Sequence, residues 1–247
     1  MNTSVVVNPI AEASPKFKAR VAGGLFLVTI LLGVFAQGFV AERLIVSGDA
    51  AATANNILTH ENLFRLGFAV YLIELACQIA MTLLFYDLLK PVSKSVSRLA
   101  LTFGLTGCFI KIISRLFFIA PVYILGGSQY LSVFGPEQLQ ALALLSLRVD
   151  YLAETMAMIF FGFYALVQGY LFYRSTFLPR ILGVLSAIGG LGWLIYLYEP
   201  FAVSVALYIV ALAILGTLAN IVWLLAFGLN EQHWKEQASA AAESIWR

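Results

Sequence analysis

Six ionisable side chains lie within stretches of sequence that are otherwise almost entirely apolar. They are three acids and three bases: Glu74, Asp150, Glu154, Lys111, Arg115 and Arg148. On insertion scales, an unpaired charge at the centre of a bilayer costs about 2.5–3.5 kcal/mol. Because acids and bases are equal in number, we predict that these side chains pair with one another.

The spacing of these residues along helices places them on shared faces. Lys111 and Arg115 are four positions apart and project from the same side of a helix, as do Asp150 and Glu154. At a rise of about 1.5 Å per residue, the acids and Lys111 fall at similar depths in their helices. The pattern predicts that charges from three neighbouring helices converge at one level.

The helix that carries Asp150 has a second polar face. Arg148 and Tyr151 lie nearly opposite Asp150 when the sequence is placed on a helical wheel. This arrangement predicts polar neighbours on two sides of the helix, and therefore a place in the interior of a bundle.

Two kinds of chemistry are open to these residues. Carboxylates in apolar surroundings suit acid–base catalysis, and the candidate catalytic residues are Glu74, Asp150 and Glu154. Cations and a phenol suit the polar group of a substrate, and the candidate substrate-binding residues are Arg65, Lys111, Arg115, Arg148 and Tyr151. Arg65 is also expected to pair with Glu61, one helical turn earlier.

The sequence predicts neither a metal centre nor a bound cofactor. His60 and His233 are the two histidines and stand far apart, and Cys77 and Cys108 form no CxxC pair. Such spacings do not build the ligand sets usual for zinc. The formal net charge of +2 gives no reason to expect a nucleic-acid partner.

The composition identifies the elements that must position these residues. Hydrophobic residues make up 61% of the 247 residues, charged residues make up 11%, and the mean hydropathy is +0.90. Ordinary soluble domains are about half apolar and a quarter charged, so a bilayer must be the solvent for this chain. Runs long enough for membrane helices lie at 19–41, 63–88, 97–124, 139–172, 177–198 and 202–228.

We therefore predict an all-α fold, a polytopic membrane bundle of six transmembrane helices formed by 19–228. Basic residues collect before the first run and in the even-numbered connections, among them Lys18, Arg20, Lys90, Lys94, Arg174 and Arg180. Because cytoplasmic loops accumulate Lys and Arg, both termini are predicted to be cytoplasmic. The terminal segments are 1–18 and 229–247.

Two further stretches carry local signals. Asp49 is a good N-cap for the alanine-rich stretch 50–54, which fits either a short interfacial helix or a polar loop. The fifth run is rich in small residues between Gly183 and Gly192. Because small residues let helices approach closely in lipid, this face predicts either central packing or a homo-oligomer.

Several unlike segments together resemble a known family. They are, in order, ARVAGGLFLVTILLGVFAQGF, LIVSGDAAATANNIL, ENLFRLGF, LLKPVSKS and LPRILGVL. The chain resembles the bacterial membrane-protein family called domain of unknown function 4386 over about residues 19 to 200. The resemblance implies a polytopic, multi-pass protein of the bacterial inner membrane, and it transfers no catalytic residues.

Three functions fit this sequence. The first is a charged chamber within the membrane that binds a lipid-like or amphiphilic small molecule and can transform it by acid–base chemistry. The second is a small proton-coupled transporter, since carboxylates in the membrane suit a proton relay. The third is a structural or accessory subunit whose charges serve only as buried ion pairs. The expected partners are membrane lipid and an amphiphilic small molecule, and the substrate itself is not predicted.

Overall fold

The computed structural model describes residues 13–127 and 129–243, with the backbone alone at 130, 199–207, 209, 210 and 212. Within these ranges the regular secondary structure is helical throughout, which confirms the predicted all-α fold. Of the two predicted terminal segments, positions 1–12 and 244–247 lie outside the described residues.

Eight helices follow one another in the described part of the chain. They are α1 (Pro15–Leu44), α2 (Ala50–Thr59), α3 (Glu61–Leu89), α4 (Lys94–Leu125), α5 (Pro136–Arg174), α6 (Arg180–Leu194), α7 (Glu199–Ala226) and α8 (Glu231–Glu243). Near its end α1 adopts π-helical geometry over Phe35–Ala41. A short 3-10 turn, Ile195–Leu197, extends α6.

Five of these helices, α1, α3, α4, α5 and α6 with its 3-10 extension, are long and apolar enough to cross a membrane. The part of α7 in which every side chain is described, Ala213–Ala226, forms a sixth candidate when it is joined to α8 across a bend of 100°. The whole of α7 has 28 residues, which corresponds to about 42 Å at the rise of an α-helix. The structure thus gives five to six candidate spans where the sequence predicts six.

The local signals between the spans have the expected effect. The carboxylate of Asp49 accepts a hydrogen bond of 2.8 Å from the backbone N–H of Ala52, so the stretch that follows is a short helix rather than a loop. Ile57 of this helix is fully buried and Leu58 is 49% exposed. Helix α2 therefore packs on the bundle through Ile57 rather than lying free at its surface.

The six long helices form a closed ring. Each packs against its neighbours in the order α1, α3, α4, α5, α6 and α7, and α7 returns to α1. The contact that closes the ring is tight, because a Cβ added at Gly23 of α1 would lie 2.8 Å from Cβ of Leu224. Six helices in a ring, unlike four, leave space in the middle.

Two apolar cores lie at different levels of the ring. One core contains Phe85 of α3 and Phe172 of α5. The other contains Phe64 of α3, Phe118 of α4 and Ile57 of α2. On α3, α4 and α5, the predicted charged positions come between these two cores along the sequence. The charged layer is thus enclosed between two apolar layers.

Two glycines of α6 pack against another helix of the same chain. A Cβ added at Gly183 would lie 2.5 Å from the carbonyl oxygen of Gly169 in α5, and one added at Gly190 would lie 2.8 Å from that of Gly162. The small residues therefore serve the close packing of α6 on α5, which is the first of the two predicted uses. The predicted homo-oligomer through the Gly183–Gly192 face stays a prediction.

Candidate functional site

Five charged residues from three helices meet between the two apolar cores, and we call them the charged cluster. Lys111 Nζ lies 3.0 Å from both carboxylate oxygens of Glu74 and 3.9 Å from Glu154 Oε1. The guanidinium nitrogens of Arg115 lie 2.8 Å from Glu154 Oε1 and 3.6 Å from Asp150 Oδ2. These distances place the side chains at one level of the bundle, as the spacing of the sequence predicts.

The members of the charged cluster differ in their exposure. The side chain of Arg115 is 1% exposed, and those of Glu74, Lys111 and Asp150 are also buried. Glu154 is the least buried of the five, with 20% of its side chain exposed, although it contacts both cations. Glu154 therefore connects the two ion pairs and is the most exposed carboxylate of the charged cluster.

Small residues let α4 come close to its neighbours at this level. Ser114, which is fully buried, donates a hydrogen bond of 2.8 Å to the carbonyl oxygen of Lys111. A Cβ added at Gly107 would lie 2.9 Å from the ring of Phe161, and one added at Gly104 would lie 2.8 Å from Thr82. Because these positions carry little bulk, the cations of α4 reach carboxylates on both α3 and α5.

Aromatic rings form a wall beside Arg115. Its guanidinium carbon lies 3.8 Å from the ring centroid of Tyr71, close enough for a cation–π interaction. The ring of Phe118 meets that of Tyr71 edge to face at 5.2 Å. The hydroxyl of Tyr71 in turn donates a hydrogen bond of 2.8 Å to Gln37 Oε1, in the π-helical part of α1. This chain of contacts links α1 to the charged cluster.

Gln37 was not predicted as a site residue. The available signal was a single amide within the apolar run FAQGF. A neutral polar side chain costs less to bury than a charge, so it did not stand out. Insertions of π-helical geometry occur often at functional sites, and the position of Gln37 follows that tendency.

Two predicted binding residues lie apart from the charged cluster. Arg148 is exposed and Tyr151 is 51% exposed, both on the outward face of α5. Tyr151 nevertheless interacts electrostatically with Tyr196, in the 3-10 extension of α6. The prediction that α5 has polar neighbours on two sides therefore fails at Arg148. A helical wheel shows that two faces are polar, but it does not show which of them the neighbouring helices cover.

Arg65 also lies apart from the charged cluster, in the first turns of α3. Its Nε lies 2.7 Å from Glu61 Oε1, which confirms the predicted pair, and its guanidinium carbon lies 5.8 Å from the ring centroid of Tyr123. Arg65 precedes Glu74 by nine residues, which is about 13 Å along the helix. It belongs to the end of the bundle that contains α2.

The position of Arg148 changes the charge balance of the site. Without it, the charged cluster contains three carboxylates and two cations. The prediction of a set that neutralises itself is therefore wrong for the described structure. If all five groups are ionised, the charged cluster has one excess negative charge.

A cavity of about 580 Å³ lies inside the ring and touches every helix of it. The charged cluster contributes Glu74, Lys111 and Glu154 to its wall. Most of the remaining wall is apolar or aromatic, including Phe26, Ile30, Met81, Met158, Phe161 and Leu185. We call this cavity the chamber, since its volume lies within the range of about 300–1,000 Å³ typical of ligand pockets.

A second polar region lines the chamber. Thr29 Oγ1 and Asn220 Oδ1 are buried and have no hydrogen-bond partner among the described residues. The amide nitrogen of Asn220 donates to Ser186 Oγ at 3.1 Å and to the carbonyl oxygen of Gly216 at 2.8 Å. Thr29 was not predicted, because a single threonine in an apolar run carries little signal.

Carboxylates and organic cations determine what this arrangement can do. Each cluster carboxylate lies within 4.0 Å of a Lys or Arg nitrogen. Among the residues with a described position, no group of three or more His, Cys, Asp or Glu could hold a metal ion. The groups of the charged cluster can exchange protons or pair with a charged or hydrogen-bonding ligand.

An all-helical chain with five to six candidate spans and ion pairs buried between them is a multi-pass membrane protein. The model of a family described as domain of unknown function, DUF4386, matches residues 21–228. The chain belongs to the DUF4386 family, and the resemblance noted in the sequence is confirmed. No curated protein and no solved structure gives a match.

Proposed function

We propose that this protein binds a lipid-like, amphiphilic small molecule in the chamber, within the bacterial inner membrane. One observation carries the proposal: a cavity of about 580 Å³, touched by all six ring helices, has charged side chains on an otherwise largely apolar wall. Ionisable residues within membrane segments are rare and mark functional sites by default. Such a wall suits a molecule with one polar end and an apolar body.

The proposed chemistry is acid–base transfer by the carboxylates that face the chamber. Glu74 and Glu154 line it and would exchange a proton with a bound molecule, whereas Asp150 holds Arg115 from the far side. Arg115 would act as a positioning residue, since it fixes Glu154 at 2.8 Å. In this scheme Lys111 contacts both chamber carboxylates and keeps them oriented.

Filling the chamber tests the proposal. Ala165 lines the chamber on α5, and Ala141 is an exposed residue near the start of the same helix. The protein is extracted from its membrane directly into nanodiscs, and copurifying molecules are identified by mass spectrometry. We expect Ala165→Phe to lower the amount of a specific copurified molecule at least about tenfold, and Ala141→Phe to leave it unchanged.

The two outcomes of this experiment are separable. A molecule enriched equally in both variants would be bulk lipid, and its equal presence would count against a ligand in the chamber. Both variants are checked by gel filtration, so that a misfolded sample is recognised before extraction.

A structural role is the second candidate, because every charge of the cluster lies within 4.0 Å of an opposite charge. In that case the residues would serve only to hold α3, α4 and α5 together. Glu154→Gln distinguishes the two roles. A well-folded variant that no longer retains the copurified molecule supports a binding site, and a variant that retains it unchanged supports the structural role.

Proton-coupled transport is the remaining alternative, and carboxylates on the chamber wall favour it. Its test uses proteoliposomes that contain a pH-sensitive dye. Proton flux that depends on the copurified molecule and is lost in Glu154→Gln would select transport, and binding without flux would select a binding or enzymatic chamber.

A further inference from the structure

The cations of the charged cluster are already engaged by carboxylates of the same chain. The ammonium of Lys111 lies 3.0 Å from both oxygens of Glu74. The guanidinium of Arg115 is covered by Glu154 and Asp150 and by the face of Tyr71. An anionic head group in the chamber would have to displace one of these carboxylates from its pair.

With all five groups ionised, the excess charge of the cluster is negative, and it reaches the chamber. Three carboxylates face two cations, and Glu154, the carboxylate that connects the two pairs, lines the chamber with 20% of its side chain exposed. Charge interactions are strong in apolar surroundings because little water screens them. This part of the wall therefore attracts a positive group.

A second observation, independent of the charges, points to a bound ligand. Asn220 Oδ1 and Thr29 Oγ1 line the chamber, are at least nine-tenths buried, and lack a partner among the described residues. The carbonyl of Gly216 accepts from the amide nitrogen of Asn220, so the amide oxygen is the atom left over. Buried polar atoms without partners call for a ligand or water. Here one of these atoms, Asn220 Oδ1, is a hydrogen-bond acceptor.

Aromatic faces add a third feature. Seven aromatic side chains line the chamber: Phe26, Tyr71, Phe85, Phe161, Tyr164, Phe172 and Trp193. The faces of such rings attract organic cations, and this attraction grows when water is excluded. Aliphatic side chains alone would suffice to hold a neutral tail.

From these features we infer that the ligand of the chamber is an amphiphilic cation, an ammonium group on an apolar body. The inference rests on the proposed function and specifies its ligand class. The ammonium group lies against Glu154, and the apolar body lies among the aromatic side chains. Thr29 precedes Gln37 by eight residues, so the second polar region lies about 12 Å along α1 from the level of the charged cluster.

The experiment compares three amphiphiles that differ only in the head group. Dodecyltrimethylammonium, dodecyl phosphate and dodecanol, each brominated in the chain, are added to the protein in phosphatidylcholine nanodiscs. Bromine quenches the fluorescence of Trp193, which lines the chamber, and Trp193→Phe reports the quenching that comes from elsewhere. We expect the ammonium probe to bind at least about tenfold more tightly than the phosphate probe.

A variant locates the effect. Glu154→Gln keeps the shape of the side chain and removes its charge, and we expect it to weaken binding of the ammonium probe about tenfold while dodecanol binds as before. If this variant does not fold, the order of the three probes on the unmodified protein remains a complete test.

Each other outcome has a distinct meaning. Tighter binding of dodecyl phosphate would overturn the inferred charge and leave the proposed function in place. Equal affinities would mean that a proton rather than the ligand neutralises the charged cluster, which would also overturn the inference. If no probe quenches Trp193 beyond the level seen in Trp193→Phe, the proposed function itself fails.

Discussion

Arg115 shows how a charge can be held inside an apolar bundle. Its side chain is 1% exposed, contacts two carboxylates and lies over the ring of Tyr71. Burying a single charge is costly, and the mutual attraction of a pair compensates only when both partners are present. The charged cluster is therefore stable as a set, and the loss of one member leaves its partners buried with an uncompensated charge.

Replacing Arg115 tests this dependence, with Arg148 as the matched control. We expect Arg115→Met to lower the free energy of unfolding by about 3–5 kcal/mol, because Glu154 and Asp150 would be left buried without a partner. Arg148→Met, at an exposed position of α5, should leave it unchanged or raise it. Unfolding of the purified proteins in mixed micelles measures both, and equal losses would contradict the assignment.

Glu74 and Lys111 form a pair that a double-mutant cycle can measure. Glu74→Gln and Lys111→Met should each destabilise the protein, whereas the double variant should lose less than the sum of the two. We expect an interaction energy of about 0.5–3 kcal/mol. Strict additivity in the same unfolding assay would show that the 3.0 Å contact contributes nothing to stability.

At the scale of elements, the crossing of α5 and α6 depends on glycine. The carbonyl oxygen of Gly169 would lie 2.5 Å from a Cβ at Gly183, and that contact is with backbone. Backbone cannot move aside as a flexible side chain can, so the two helices would have to separate. Because α5 carries Glu154 and α6 forms part of the chamber wall, this crossing also sets the shape of the chamber.

We expect Gly183→Ala to destabilise the protein by about 1–3 kcal/mol through overpacking. Gly33→Ala is the control, since nothing lies within 4 Å of a Cβ at that position. Alanine is favoured over glycine in a helix by about 0.5–1 kcal/mol, so the control should be neutral or stabilising. Thermal unfolding in one detergent ranks the two, and a stable Gly183→Ala protein would mean that the helices are not closely packed here.

Hydropathy and spacing predicted the elements and all five residues of the charged cluster, together with Arg148, which lies outside it. The run 97–124 became Lys94–Leu125 and the run 139–172 became Pro136–Arg174, because long apolar stretches have one stable form in lipid. Lys111 and Arg115 were found because charges in such stretches are costly and therefore conspicuous.

What the sequence did not predict depended on neighbouring helices. Arg148 is as conspicuous as Arg115 in the sequence, yet one is exposed and the other is buried. Arg115 is on the face of α4 that packs against α3 and α5, whereas Arg148 is on a face of α5 that no described helix covers. Which face is covered depends on how the helices pack. The roles of Gln37 and Thr29 were missed because a neutral polar side chain carries no strong signal by itself.

At the scale of the whole molecule, the ring has two ends that differ. One end contains α2 and the beginning of α3, and the other contains the turn between α3 and α4 together with α8. Trp234 of α8 donates a hydrogen bond of 2.8 Å to the carbonyl oxygen of Leu88, and Gln237 accepts one of 3.1 Å from the backbone N–H of Thr176. The second end is the basic one, which we predict to be cytoplasmic.

Cysteine labelling tests this orientation. In a background where Cys77 and Cys108 are replaced by alanine, Ser47→Cys and Lys94→Cys place single thiols at exposed positions of the two opposite ends. We expect a membrane-impermeant maleimide to label Ser47→Cys in intact spheroplasts, and Lys94→Cys only after the membrane is opened. The reverse pattern would invert the predicted topology.

The contact between α1 and α7 joins the first and the last of the long helices. Since membrane spans are inserted in the order in which they are synthesised, Glu74, Lys111, Arg115 and Glu154 can meet while α7 is still being made. The seam at Gly23 and Leu224 can close only when the final span arrives. Until then the ring of helices remains open to the lipid between α1 and α6.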